Sequence, residues 1–298
     1  MTATAQIGTA WGQAGFAPVC ALQVFGMRRS GNHAIIDWLM RNAPQAATGG
    51  VFFNNCRHGR DPLSAYGSLD IYDAESRVQP HHDIADAQRI AAAGDAPMVV
   101  VSYEDRIPQP KGKPQRASQG FATADFSRQV IIYRSFLNWA ASLLAKIQRN
   151  DGFGPTDRMR IMGLAFATYV QGLDRVADPG DVVAICYDDW MQSEDYRAGI
   201  LDRLDLPRRD LDRGQVQRYG GGSSFQRRTT GVADLGSTER DALMAEDEEY
   251  KMILWTAAHD VRFMERILAH FEDDAERLAQ LAETASLNLS LPLRETVQ

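Results

Sequence analysis

Four stretches of the chain are apolar almost without interruption: "VCALQVF" (19–25), "MVVVSY" (98–103), "QVIIY" (129–133) and "VVAICY" (182–187). Their length and β-branched content mark them as strands. Unbroken rather than alternating hydrophobicity predicts burial on both faces, as in a parallel sheet. The period then changes. Apolar positions at helical spacing run through "HAIIDWLMRN" (33–42), "FLNWAASLLAKIQR" (136–149) and "YRAGILDRLDL" (196–206), each following one of those strands. Strand alternating with amphipathic helix predicts a doubly wound α/β domain with a central, mostly parallel sheet. Residues 44–96 and 104–128 carry scattered Gly, Pro and Asp and read as loops. From 238 to about 283, Glu, Ala, Leu and Arg dominate, which predicts one or two long surface helices. There is no internal repeat and no boundary signal, so residues 1–298 are expected to form a single domain with its core over about 19–232.

Composition narrows the class. At 44% hydrophobic and 24% charged, the 298 residues are those of an ordinary globular protein. No apolar run approaches the roughly 20 residues of a membrane span. "MTATAQIGTAWGQAGFAP" has neither a basic n-region nor an apolar h-region, so no signal peptide is expected. Cys20, Cys56 and Cys186 are odd in number and lack metal-ligand spacing. Two of them, Cys20 and Cys186, lie inside apolar runs and are expected to be buried thiols in a reducing, cytoplasmic setting. The net charge of −7 argues against a nucleic-acid partner, so any anion must meet a local concentration of donors. Two such concentrations exist, Arg28–Arg29 and "QRR" at 226–228. A third, Lys111, Lys113 and Arg116, sits in a Pro- and Gln-rich stretch and reads as a solvated loop.

"VFGMRRSGNHAIIDWLM" (24–40) places these arginines at a strand-to-helix turn. Gly26 and Gly31 have the G-x-x-x-x-G spacing of a phosphate-binding loop, whose successive N–H groups and helix N-terminus attract an anion. A nucleoside-triphosphatase would continue with Lys and a Mg²⁺-holding hydroxyl. Asn32 and His33 stand there instead, and the cations precede the second glycine. The loop therefore suits an anion bound without Mg²⁺ by Arg28, Arg29, Ser30, Gly31, Asn32 and His33. A second candidate is Arg134 at the end of a strand with Ser142 eight residues on, inside the following helix. Together they offer charge-assisted bonds of roughly 1.5–3 kcal/mol each to one phosphate. Each feature alone has a plainer explanation: a glycine-bearing turn with surface arginines, and an arginine–carboxylate pair beside a small packing serine.

Together they resemble the sulfotransferases that use 3′-phosphoadenylyl sulfate (PAPS). In that family Lys-Ser-Gly-Thr-Thr binds the 5′-phosphosulfate, and "RSGNH" occupies its place with Arg29 for the lysine. The family's second motif, an arginine ending a strand and a serine eight residues later, grips the 3′-phosphate and matches Arg134 and Ser142. "VVAICYDDWMQSEDYRAGILDRLDLP" is similar to the family's strand ending in Tyr-Glu-Asp, then a helix and a Leu-Pro exit. "GGGSSFQRRTTG" (220–231) is similar to its late basic loop, which would assign Arg227 and Arg228 to the nucleotide. The likeness spans most of 19–232, in order. It departs at Asn32 and His33, which replace two hydroxyl residues, and at Ala34, where many members carry an aromatic.

The resemblance implies a three-layer α/β/α fold of P-loop NTPase-like topology. It also implies sulfuryl transfer from PAPS to a hydroxyl of a carbohydrate or small molecule, without a metal. Arg29, or Arg28 in its stead, would stabilise charge on the leaving phosphate. Where cytosolic members carry a catalytic histidine after the second strand, "VVVSYEDRIP" puts Glu104 or Asp105. An ordinary carboxylate, with pKa near 4.3, is a weak base toward an alcohol and works only if the proton moves late. "PHHD" (80–83) lacks a completing ligand set for a metal and reads either as a loop bordering the acceptor cleft or as a segment with no role in the site. "VFFNN" (51–55) is either an aromatic platform there or plain core. Two competing readings are a phosphate-loop small-molecule kinase and a non-catalytic nucleotide-binding protein.

Overall fold

The computed structural model describes residues 9–44, 50–73, 77–80, 82–92, 97–109, 117–216, 231–232, 236 and 238–284. Seven strands form one sheet: β1 (Cys20–Gly26), β2 (Gly50–Asn54), β3 (Ser68–Tyr72), β4 (Val78–Gln79), β5 (Met98–Glu104), β6 (Arg128–Tyr133) and β7 (Val182–Cys186). Their order is β4-β3-β2-β5-β1-β6-β7. The five strands from β2 to β7 in that order run parallel, and β3 and β4 add an antiparallel edge. Strand β1 is buried along its whole length and lies between β5 and β6. Chain connections leave β1 toward one side of the sheet and return through β6 on the other. The carboxyl ends of β1 and its neighbours therefore border the crevice where open α/β sheets bind ligands.

Eleven α-helices are described: α1 (Thr9–Gln13), α2 (Asn32–Arg41), α3 (Ile84–Ala92), α4 (Phe136–Gln148), α5 (Pro155–Ala177), α6 (Tyr187–Gln192), α7 (Glu194–Arg203), α8 (Arg240–Met244), α9 (Glu248–Ala258), α10 (Val261–His270) and α11 (Glu272–Thr284). Both faces of the sheet are covered. Leu22 and Val24 of β1 meet Ile35, Trp38 and Leu39 of α2 and Ile200 and Leu201 of α7. On the other face Phe25 and Val101 join Trp11 and Phe121, while Ile131 and Val182 meet Val176 of α5. The four expected strands and three expected helices are present, with ends shifted by at most three residues. All three cysteines are buried and free. Among the described residues no helix is long and apolar enough to cross a membrane.

Two expectations are corrected. Residues 44–96 are not merely loops, because β2, β3, β4 and α3 lie there. "VFFNN" belongs to β2, with Phe52 and Phe53 buried in the two cores, so it is core rather than an exposed platform. The segment from 238 is not one or two surface helices but four helices, α8 to α11. Asp247 and Asp260 each accept a bond from the backbone N–H three residues on (Tyr250, 2.9 Å; Phe263, 2.9 Å). These caps start new helices and turn the chain. The turns fold Tyr250, Phe263, Ile267 and Leu278 onto Phe136, Trp139 and Tyr169 of α4 and α5, in a second core.

Candidate functional site

The turn between β1 and α2 is held by short-range bonds that only certain residues permit. Gly31 has φ 86°, and a Cβ there would lie 2.1 Å from the Tyr187 ring. A Cβ on Gly26 would meet Asn32 Oδ1 at 2.4 Å. Asn32 Nδ2 donates to the Met27 carbonyl at 3.1 Å and Ser30 N donates to it at 3.2 Å, closing the loop. Arg29 takes φ 70°, an uncommon conformation for a non-glycine residue. Inside this turn the Ser30 hydroxyl and the Asn32 side-chain carbonyl are buried without a hydrogen bond among the described residues. Buried polar atoms are nearly always satisfied, so an unsatisfied hydroxyl at such a turn fits a ligand.

The left-handed bend separates the two arginines. Arg28 turns outward, where its backbone N–H donates to Asp105 Oδ1 at 2.9 Å and its side chain pairs with the same carboxylate. Arg29 turns inward, and its Nε donates to Ser142 Oγ at 3.2 Å. Arg134, almost fully buried, donates from Nη1 to the Arg29 carbonyl at 3.1 Å. Its guanidinium lies 4.9 Å from the Tyr187 ring centroid, and its Nε is 3.9 Å from Asp188 Oδ1. Ser142 is fully buried and accepts a second bond, from Arg240 Nη1 at 2.8 Å. The two turns expected to hold opposite ends of a ligand thus touch. Arg29, Arg134, Ser142 and Arg240 form one cationic wall beside α4.

Arg240 was not among the residues singled out from sequence. It opens α8, whose first N–H groups donate to Asn138 Oδ1 of α4 (3.0 Å from Arg240, 3.4 Å from Asp241). Asp241 accepts from Tyr250 Oη at 2.8 Å and pairs with Arg277, which fixes α8 in place. In "STERDALM" nothing local distinguishes this arginine from surface arginines such as Arg262. The cluster carries an electrostatic cost. Burial lowers the Arg240 pKa from its ordinary value, and Arg134 and Arg29 lower it further against the opposing pull of Tyr187 and Asp188. The Arg29 pKa is lowered by burial and then by Arg134 and Arg149. Convergent cations of this kind are the electrostatic complement of a polyanion.

Glu104 ends β5 on the α2 side, with Oε1 3.8 Å from His33 Nε2. Burial, then Asp105, raises the Glu104 pKa, while Arg28 and Arg29 oppose the rise. Burial, then Arg29, lowers that of His33, which keeps the imidazole neutral near pH 7. Asp105 is committed to Arg28, so Glu104 is the carboxylate of the two that is left facing Arg29 and His33. His82 pairs with Asp86 at 3.1 Å. His81, Lys111, Lys113, Arg116, Arg227 and Arg228 lie outside the described residues. No protein-family model, no curated protein and no solved structure matches this chain.

Proposed function

We propose that the chain is a PAPS-dependent sulfotransferase of P-loop NTPase-like topology. It would transfer the sulfuryl group to a hydroxyl of a carbohydrate or small molecule. The observation that carries this reading is the convergence of Arg29 and Arg240 on Ser142, with Arg134 bound to the Arg29 carbonyl, directly behind a glycine-bounded anion loop. A half-buried arginine and two buried ones clustered about a buried hydroxyl match a ligand with anionic groups at more than one point. The position of β1 between β5 and β6 supports the topology, since it places the loop at the point where the strand order reverses.

The residues divide the work by charge and position. The N–H groups of the 26–31 turn and the Ser30 hydroxyl receive the phosphosulfate, and Arg29 neutralises charge that builds on the phosphate as the bond to sulfur breaks. Arg134, Ser142 and Arg240 hold the other phosphate, with Arg227 and Arg228 contributing from the late loop. Fixing both ends aligns the sulfuryl group for in-line attack. Glu104 takes the acceptor proton. Its raised pKa makes it a stronger base than an exposed carboxylate, and the neutral His33 beside it adds no competing positive charge.

The G-x-x-x-x-G spacing favours the kinase alternative, and one experiment separates the readings. Thermal unfolding is followed with adenosine 3′,5′-bisphosphate (PAP), the product nucleotide, and separately with ATP and Mg²⁺. A ligand at 100 times its dissociation constant stabilises by about 2.7 kcal/mol. Stabilisation by PAP without Mg²⁺, followed by turnover of PAPS, is the expected result. Stabilisation by ATP only with Mg²⁺ would overturn the proposal in favour of the kinase. PAP binding with no turnover on any hydroxyl acceptor would leave a nucleotide-binding protein.

A further inference from the structure

A cleft of about 440 Å³ opens beside the anion loop, between the 105–109 segment that follows β5 and the helix α5. Its volume falls within the roughly 300–1,000 Å³ of small-molecule sites. Its lining includes Asp105, the residue whose carboxylate holds both the backbone N–H and the side chain of Arg28. The cleft is therefore joined to the phosphate loop through the Asp105–Arg28 pair.

The chemistry of the walls selects a ligand class. Ile107 and Pro108 are the aliphatic residues among those that line it, and Ile107 is drawn into the cluster of Ile131, Val176 and Val182. Gly172 of α5 allows that approach, since a Cβ there would lie 3.2 Å from Ile107 Cδ1. Most of the charges are engaged elsewhere. Asp105 holds Arg28, Asp174 accepts from Arg266 at 2.7 Å and pairs with Arg262, and Arg175 donates to the Asp178 carbonyl. What the cleft offers beyond these is one cation and one carboxylate, Arg106 and Asp178, with neutral groups: the amides of Gln109 and Gln171, the His58 imidazole and the Thr168 hydroxyl, which donates to the Leu164 carbonyl and is left to accept. Burial, then Arg106, lowers the His58 pKa, so that ring is neutral near pH 7 and both donates and accepts. Arg175 adds a buried guanidinium whose Nε makes no hydrogen bond among the described residues.

We infer that this cleft binds a neutral polyhydroxylated molecule, a sugar, and that the sugar is the sulfuryl acceptor. The acceptor role rests on the sulfotransferase reading; the binding of a sugar does not. Each sugar hydroxyl both donates and accepts, which matches amide, hydroxyl and neutral imidazole partners. A flat apolar acceptor, such as a phenol, would strand those groups without partners. A hydroxyl beside Asp105, the lining residue bound to the loop, is the one modified.

Saturation-transfer NMR with glucose, galactose, N-acetylglucosamine and lactose tests the inference on the full chain. The comparison is with Gln171→Trp, which fills the cleft from an exposed position on α5, and with Thr168→Arg as an independent block. PAP stabilisation is measured on all three proteins. The expected result is transfer to at least one sugar, weakened roughly tenfold or more in both variants, with PAP binding unchanged. Absence of transfer to every sugar, or equal transfer in the variants, would overturn the site. Sugar binding that the variants abolish, in a protein that ignores PAP, keeps the site and overturns its acceptor role.

Discussion

Arg240→Met removes one guanidinium from the crowded wall beside α4 while leaving an unbranched side chain in its place. Arg240 and Arg29 donate to the same Ser142 oxygen, from 2.8 Å on one side and 3.2 Å on the other. Their nitrogens therefore lie within about 6 Å of each other, and two unit charges at that separation repel by about 3 kcal/mol at an effective dielectric near 20. Arg134 adds to the repulsion and Asp188 opposes it. With burial, the balance holds the Arg240 pKa below its ordinary value. A cation whose pKa is depressed by folding is one whose charge folding disfavours, so at neutral pH its removal relieves the folded state. Against this stands the bond to Ser142, worth about 1 kcal/mol. In the absence of ligand, Arg240→Met is therefore expected to match wild type or exceed it by up to about 2 kcal/mol in urea unfolding. With ligand the sign reverses. On the proposed function, loss of a charge-assisted bond of about 1.5–3 kcal/mol should weaken PAP roughly 10- to 150-fold, measured by titration calorimetry. A variant that loses several kcal/mol without ligand, or that binds PAP as tightly as wild type, would refute the reasoning.

Three further outcomes are expected. Gly31→Ala must place a Cβ at φ 86° and 2.1 Å from the Tyr187 ring; it should cost about 2–5 kcal/mol, and an unchanged urea midpoint would mean that the turn has another conformation. Glu104→Gln should retain PAP binding and lose about 10²–10⁴ in turnover, whereas a near-normal rate places the base elsewhere. Asp274 accepts from Ser135 Oγ at 2.9 Å and from Leu137 N at 3.2 Å, and burial pushes its pKa up to about 6 from 3.8. The folded protein then holds a proton that the unfolded chain releases, so this group's stabilisation is full below pH 3.8 and is lost as the pH rises through about 6. Wild type should lose roughly 3 kcal/mol across that window relative to Asp274→Asn, and parallel stability profiles from pH 4 to 7 would exclude it.

The central sheet was legible in the sequence because a strand buried on both faces is apolar almost without interruption, and β1, β5, β6 and β7 nearly are. Helices α2 and α4 were legible for a related reason, since an apolar stripe at helical spacing is a local pattern. The 23-residue α5 was missed although Pro155 at its start is a helix signal. Its apolar stripe (Met162, Ala165, Tyr169, Leu173, Val176) is narrow and diluted by charged neighbours. The caps Asp247 and Asp260 were present in the sequence as well, but an aspartate before a charged helix looks like any surface acid. Strands β2 and β3 are five residues each, and their place in the sheet depends on pairing with β5 and with each other, which no local window contains.

For the site, the sequence by itself determined that a glycine-bounded turn with arginines follows a buried strand, and that a second arginine and a serine bracket the start of α4. Spacing and backbone chemistry carry that information within about 20 residues. Only the tertiary structure decided which arginine faces inward, because the sorting of Arg28 from Arg29 depends on a left-handed bend and on Asp105, a carboxylate supplied by the turn after another strand. Only it brought in Arg240, 98 residues from Ser142 along the chain. Hydrophobic burial and backbone conformation are written into neighbouring residues. The convergence of like charges is a product of how distant helices pack, and no stretch of sequence carries it alone.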